Sequence, residues 1–368
     1  MLSVLDRYIL RSLMINYLIT LTVMICLYVV LDMFVNMDEF TEQGHPLSTV
    51  IGNIVDYYTP NVFLFFAQLS GVITLFSCMA TIARLRKQNE LTAILSSGVS
   101  LYRVAAPIVV FGLATTTLLI LDTECLIPAV AHKLARDHDD VDGKKAYEVL
   151  FLRDKHGALV SAARFHPTDL DLRRLLILTR DESGSVIETL EADRATWDPP
   201  GGGRPSGRWL LERGKRTTRV FSDDATLGPR EDKHITYPRF YESDLDPRTI
   251  QLRQAEGWIR FVSLGQLNEL MGDESADLAT IVQTKHTRIA NPIVGIVLLL
   301  LGLPLFLDRS PANVLSDAGK CMLACGLCYV VTFVGQNIRP ESASALPTWT
   351  PIFIFAPIAI ALIDRIRT

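Results

Sequence analysis

Six stretches of this 368-residue chain run without a single Asp, Glu, Lys or Arg, and no other feature restricts its fold so tightly. They lie between Arg11 and Asp32, Asp56 and Arg84, Arg103 and Asp122, Arg288 and Asp308, Lys320 and Arg339, and Glu341 and Asp364. Each is about 18 to 27 residues long, enough as helix to cross roughly 30 Å of hydrocarbon. A surface helix of a soluble domain must show water a polar residue at nearly every turn, so six such runs predict six membrane-spanning helices. Three precede and three follow a charged middle segment, two populations that an overall hydrophobic content of 49% conceals. The first run follows Arg7 and Arg11, as a secretory signal would. It is too long for one and reaches Asp32 without a small-residue cleavage pattern, so it is expected to be retained.

Lys and Arg resist transfer across a membrane during insertion, which makes short loops report orientation. Arg7 and Arg11, then Arg84, Arg86, Lys87 and Arg103, then Arg365 and Arg367 predict cytoplasmic ends. The loop from Val35 to Asp56 has no basic residue but carries Asp38, Glu39 and Glu42, and the other outer loop has only Arg339. Both termini are therefore expected inside, with the segment from about Pro128 to Arg288 in the periplasm of a two-membrane cell.

That segment reads as strands. Tyr147 to Leu152, Ala158 to Phe165, Leu172 to Leu178, Val186 to Leu190, Trp209 to Glu212 and Thr217 to Phe221 are short and rich in branched or aromatic residues. Asp154-Lys155-His156-Gly157, Asp181-Glu182-Ser183-Gly184, Pro199-Pro200-Gly201-Gly202-Gly203 and Arg213-Gly214-Lys215 supply turn chemistry between them. A meander or jelly-roll sandwich is the expected product. From Thr249 to Thr287 the chain becomes polar and is predicted helical, a connector in which Ser263 caps a short helix. The fold class expected is an α-helical membrane protein, three helices plus three, with an inserted periplasmic antiparallel β-sandwich or jelly-roll domain. Residues 1–128 hold helices one to three, 129–287 the β domain and connector, and 288–368 helices four to six.

Several function classes fall away. A net charge of −4 with no basic tail gives no nucleic-acid footprint. No Walker A sequence is present, so the chain lacks the Gly-rich loop and Lys that hold nucleotide phosphates. Neither a G-x-S-x-G elbow nor an H-E-x-x-H pair occurs. His132 and His138 beside Asp137, Asp139 and Asp140 read as a hydrated charged run rather than a metal cluster. Cys26, Cys78, Cys125, Cys321, Cys325 and Cys328 all fall in or at the ends of apolar runs, leaving the middle segment without a thiol to oxidise. Cys321, Cys325 and Cys328 share a helical face and read as small packing residues. No metal, no cofactor and no enzymatic activity is expected.

The most informative cytoplasmic segment runs from Arg84 to Ser100 and fits a short helix from about Gln88 to Ser96 stopped by Gly98. Leu91 and Leu95 share one face, and Glu90 sits where a helix dipole favours an acid, so a plain surface helix explains the pattern locally. Yet Glu90-Leu91, Ala93 and Gly98-x-Ser100 closely resemble the cytoplasmic coupling helix of the LptF/LptG permease family. The resemblance extends over essentially the whole chain. Glu124 followed by Pro128 is similar to the family's Asn-Glu-x-x-x-Pro exit from the third helix, with Thr123 in place of Asn. Ala192, Ala195 and Trp197 with Trp209-Leu210 resemble its strand pair, and Arg288 to Pro292 with Leu301-Gly302-Leu303-Pro304-Leu305 resembles its fourth helix.

The resemblance implies a transport subunit that draws on a separate LptB-type cytoplasmic ATPase dimer, bound through Glu90, Leu91, Ala93, Gly98 and Ser100. It implies pairing with a second permease of the same type, as hetero- or homodimer, and delivery of lipopolysaccharide to LptC/LptA-like periplasmic jelly-roll proteins. Gly302 and Pro304 would form a helix kink with a gating role, for which packing is an equal explanation. One departure bears on substrate. Family members often place basic residues near the outer end of the first helix to hold phosphates, whereas this chain has Asp32, Asp38, Glu39 and Glu42, which repel them. Arg204, Arg208, Arg213, Lys215, Arg216 and Arg219 of the middle segment read as a solvated face. The alternatives are a permease for another envelope glycolipid or lipoprotein, or a membrane-anchored periplasmic scaffold, which would have no use for a coupling helix.

Overall fold

The structure, a computed structural model, describes residues 4–36, 47–135, 146–154, 156–181, 184–201, 207–224, 228–254, 257–271, 278–307, 314–338 and 345–364. Asp38, Glu39, Glu42, Asp137, His138, Asp139, Asp140, Arg204, Arg339, Arg365 and Arg367 lie outside the described residues. The chain forms two compact units: Met1–Met37, Tyr58–Val130 and Ile259–Thr368 make one, Asp38–Tyr57 and Ala131–Trp258 the other.

Helices α1 (Val4–Val35), α2 (Leu47–Lys87), α3 (Glu90–Ser96) and α4 (Leu101–Leu121) come first; α4 passes through a π turn (Asp122–Leu126) into α5 (Ile127–Leu134). After eight strands follow α6 (Pro247–Gln254), a 3-10 turn (Trp258–Phe261) and α7 (Leu264–Leu270). The last three are α8 (Leu278–Phe306), α9 (Val314–Asn337) and α10 (Leu346–Asp364). Among the described residues six helices are long and apolar enough to cross a membrane, as the charge-free runs predict.

In the helical unit α8 is the central stave, packing against α4, α9 and α10. What faces inward is marked by size and by hydroxyls as well as by hydrophobicity. Ser70, Thr74, Ser77 and Thr81 of α2 are buried at helical spacing. Ser77 and Thr81 donate back to the carbonyls of Thr74 and Ser77, each at 2.8 Å, while Thr74 donates to Thr115 of α4 at 3.1 Å. Where α2 crosses α8, a Cβ on Gly71 would come within 3.3 Å of the Gly295 Cα. Close backbone approach at small residues is how helices associate where lipid offers no hydrophobic drive.

The β unit is one antiparallel sheet of eight strands: β1 (Tyr147–Arg153), β2 (Leu159–His166), β3 (Asp171–Arg180), β4 (Val186–Asp198), β5 (Arg208–Glu212), β6 (Lys215–Asp224), β7 (Gly228–Thr236) and β8 (Phe240–Glu242). Strands β1 to β4 pair in sequence order. Along its other edge β4 pairs with β5 over Arg194 to Asp198 and with β6 over Glu188 to Glu191. β5 and β6 are thus one course broken at Arg213, whose φ is 56°, and Gly214, where a Cβ would stand 2.6 Å from the Pro238 carbonyl. β7 and β8 follow it as a second broken course, making the sheet a meander. One face of β2 to β4 buries Val160, Ala162, Leu172, Leu175, Ile177, Leu190 and Ala192, with the alternation in β3 shifted by one residue at Arg174, whose φ is 52°. Trp209, 2% exposed, joins them and donates its indole N–H to the Leu245 carbonyl at 3.0 Å. The phenol of Tyr241 donates to Asp154 of the β1–β2 turn. Burial first, then that hydrogen bond and the nearby carboxylate charge, push its pKa far up, so it stays a donor.

Six of these strands lie where the sequence predicts them. β4 runs eight residues past its expected end at Leu190, and β7 and β8 were not expected. Gly228-Pro-Arg-Glu-Asp-Lys-His-Ile-Thr236 has no apolar alternation; it is a strand because it pairs with β6 over its whole length. The predicted connector is largely helical among its described residues, with Ser263 accepting from the Gln266 N–H and Gln266 reaching back to the Ser263 N–H, a capping box.

Candidate functional site

The segment from Gln88 to Arg103 is built by two residues in left-handed conformation. Asn89 at φ 58° lets the chain turn off the end of α2, and Asn tolerates this region better than most residues. Gly98 at φ +88° ends α3; nothing stands within 4 Å of a Cβ added to it, so conformation rather than space requires glycine. Between them α3 is seven residues long, with the Gly98 N–H returning to the Leu95 carbonyl at 3.0 Å.

The residues singled out from sequence divide by direction. Leu91, 4% exposed, belongs to the helical core, and Ile94, Leu95 and Val99 pack partly against it. Ala93, Gly98 and Ser100 are exposed, together with Gln88, Asn89, Thr92, Ser96 and Ser97. Ser100 stands at the start of α4 without a side-chain capping bond. A short helix pinned by apolar residues thus presents an outward face of small and polar side chains. Glu90 lies at the margin, half-buried, and its Oε2 accepts the Tyr8 hydroxyl at 2.7 Å.

Ion pairs fix the ends of the neighbouring helices. Arg86 pairs with Asp317 at 2.8 Å, with both side chains less than a tenth exposed, and also donates to the Phe306 carbonyl at 3.4 Å. The last turn of α2 is thereby held to the end of α8 and the start of α9. Arg103 pairs with Asp6 at 3.0 Å, and the Tyr102 hydroxyl donates to the Ile363 carbonyl at 3.2 Å. Sequence reasoning missed Tyr8, Asp6, Asp317 and these links, because partners 82 to 261 residues apart leave no mark in local spacing.

At the opposite end of α4, Glu124 of the π turn accepts the Leu264 N–H at 2.9 Å and pairs with Arg288 at 3.3 Å. Arg288 also donates to the Thr123 and Arg260 carbonyls, at 3.2 and 2.7 Å. One Arg therefore joins the exit of α4, the connector and α8. Gly302 and Pro304 are buried in α8, and a Cβ on Gly302 would lie 2.5 Å from Leu75 Cδ1 and 3.1 Å from Cys321 Sγ. Cys321 Sγ stands 3.7 Å from Met79 Sδ and 3.8 Å from Cys325 Sγ, in close packing. On the β unit Arg208, Arg213 and Arg216 each pair with an acid of β4, namely Asp198, Asp193 and Glu188.

Among known families, the one described as lipopolysaccharide export system permease LptF/LptG matches residues 7–365, nearly the whole chain. No curated protein matches it.

Proposed function

The chain belongs to the LptF/LptG family, and on that premise we propose that it is the membrane subunit of an ATP-driven exporter that extracts lipopolysaccharide from the inner membrane. Membership makes it a transport component rather than a catalytic enzyme; the energy then comes from a separate cytoplasmic ATPase dimer of LptB type. The observation that carries this reading is α3, with Leu91 buried and Thr92, Ala93 and Ser96 exposed beside Glu90. Such a helix transmits displacement, because a partner that grips its outer face pushes on the helical core through Leu91.

The basic residues Arg84, Lys87 and Arg103 around α3 support a cytoplasmic location for this end, hence both termini inside and the β unit in the periplasm. Residues 1–128 and 288–368 then form the transmembrane halves, and 129–287 the periplasmic domain with its connector. Moving a lipid with several acyl chains out of a bilayer costs about 0.8 kcal/mol per methylene, so the path must itself be apolar. Leu18, Val23 and Leu27 of α1 and Leu323, Leu327 and Val330 of α9 present exposed apolar surface for it. A second permease of this family completes the cavity, and LptC/LptA-like jelly-roll proteins receive the lipid.

The test is purification of the tagged chain from its native membrane. A cytoplasmic ATPase is expected with the wild type and lost, or hydrolysing without lipid release, with Glu90→Arg. Glu90→Arg turns an attraction at the margin of α3 into a like-charge juxtaposition, which costs several kcal/mol, enough to strip the ATPase on washing. If no ATPase accompanies the wild type, the exporter reading fails and a membrane-anchored scaffold takes its place.

A further inference from the structure

The buried residues of α1 are Asp6, Ile9, Ser12, Leu13 and Tyr17, all within its first turns. From Leu18 to Val35 no residue is buried. The outer half is held side-on, by the Tyr28 ring against Phe65 at 4.1 Å and the Tyr58 hydroxyl on Asp32 at 2.8 Å. α1 is thus anchored at the end where α3 lies. There polar contacts from Tyr8 and Asp6 reach the segment that contains α3, and they bracket it. Tyr8 donates to Glu90, the first residue of α3, and Asp6 pairs with Arg103, in the first turn of α4 beyond the Gly98 bend. Tyr8 and Asp6 are two residues apart on α1, whereas Glu90 and Arg103 stand at opposite ends of the segment. A displacement of that segment must carry the foot of α1 with it or break both contacts.

We propose that Tyr8, acting through Glu90 and with the Asp6–Arg103 pair as its second hold, makes α1 move as one body with the coupling helix. Tyr8 is then a positioning residue for transport. The inference rests on the exporter reading, since it needs an ATPase to move α3. It assigns Glu90 two roles at once, a margin of the docking face and the acceptor that passes the stroke into α1. A carboxylate suits both, because its two oxygens each accept more than one hydrogen bond.

Tyr8→Phe removes the hydroxyl and keeps the ring, at a site 40% exposed, so the helix keeps its packing. The complex purified from native membranes and placed in proteoliposomes with lipopolysaccharide gives two readings, ATP hydrolysed and lipid delivered to an acceptor. Tyr8→Phe is expected to keep the ATPase and its hydrolysis while lipid delivered per ATP falls about five-fold, the lower range of site-to-site coupling. Arg103→Gln is expected to lower the same ratio. Tyr8→Phe with Glu90→Gln should be no worse than the poorer single variant, since residues acting through one another are not additive. An unchanged ratio in Tyr8→Phe with the ATPase bound would overturn the inference and leave the exporter reading standing. So would multiplying effects in the double variant. Absence of an ATPase from the wild type would overturn both.

Discussion

The two units of this chain separate inside from outside by different means. In the β unit the inner face of the sheet is apolar, and the residues between point polar groups outward, as at Arg164, Arg173 and Glu191. In the helical unit the exposed faces are as apolar as the core: Leu18, Leu27, Leu323 and Phe333 are outside, Leu13, Leu298 and Leu303 inside. Its interior is distinguished instead by glycines at helix crossings, hydroxyls bonded to their own helix and the nearly sealed Arg86–Asp317 pair. The lesson is that water sorts side chains in one unit and packing sorts them in the other.

The largest effect tests that contrast directly. Leu172, 0% exposed in the β unit, and Leu298, 3% exposed in the helical unit, are both core leucines. Leu172→Ala forfeits transfer from water as well as packing, and is expected to cost about 2–5 kcal/mol. Urea unfolding of the β unit, followed by the Trp197 and Trp209 signal, measures it. Leu298→Ala forfeits packing alone, because lipid receives an unfolded leucine as readily as the core does, so detergent-induced unfolding should show a smaller loss. Equal losses would break the comparison.

A second effect, of intermediate size, sharpens what packing means in the helices. A Cβ on Gly335 of α9 would lie 2.4 Å from the Pro347 carbonyl oxygen of α10, and backbone cannot swing aside as a side chain can. Gly335→Ala is expected to cost about 1–3 kcal/mol. Gly326, on the same helix, has nothing within 4 Å of such a Cβ, so Gly326→Ala should be neutral or stabilising. The pair of variants in one detergent titration separates close approach from helix propensity. If Gly335→Ala costs no more than Gly326→Ala, close approach to Pro347 is not what requires glycine at the crossing.

The same contrast governs what the sequence discloses. Six apolar helices were legible because charge is excluded from each span whatever it packs against. Six strands were legible from branched residues and turn chemistry, and Ser263 from its capping pattern. Which helical faces look inward was not legible, since Leu faces both ways. β7 was hidden because Arg230, Glu231, Asp232 and Lys233 carry no alternation and become a strand only through β6. At the candidate site the helix stop at Gly98 could be read from its place after a helix; the spacing of Leu91 with Leu95 showed a shared face but not that Leu91 turns into the core. The Tyr8 contact could not, because within its own helix Tyr8 is one more aromatic residue in an apolar run.

The smallest effect lies on the water-facing side of the β unit. Asp193 pairs with Arg213 at 2.9 Å, but their side chains are 59% and 85% exposed. Water screens that attraction, and holding two long side chains together costs rotamer freedom, so Asp193→Asn should change stability by no more than about 0.5 kcal/mol. Arg213 has its place for another reason: it occupies the left-handed kink between β5 and β6, which backbone contacts and the tight space at Gly214 maintain without the acid. A loss several times larger in the same urea titration would show that the ion pair holds the kink. The outer face of the sheet would then contribute to the fold, and water alone would no longer account for the order of the β unit.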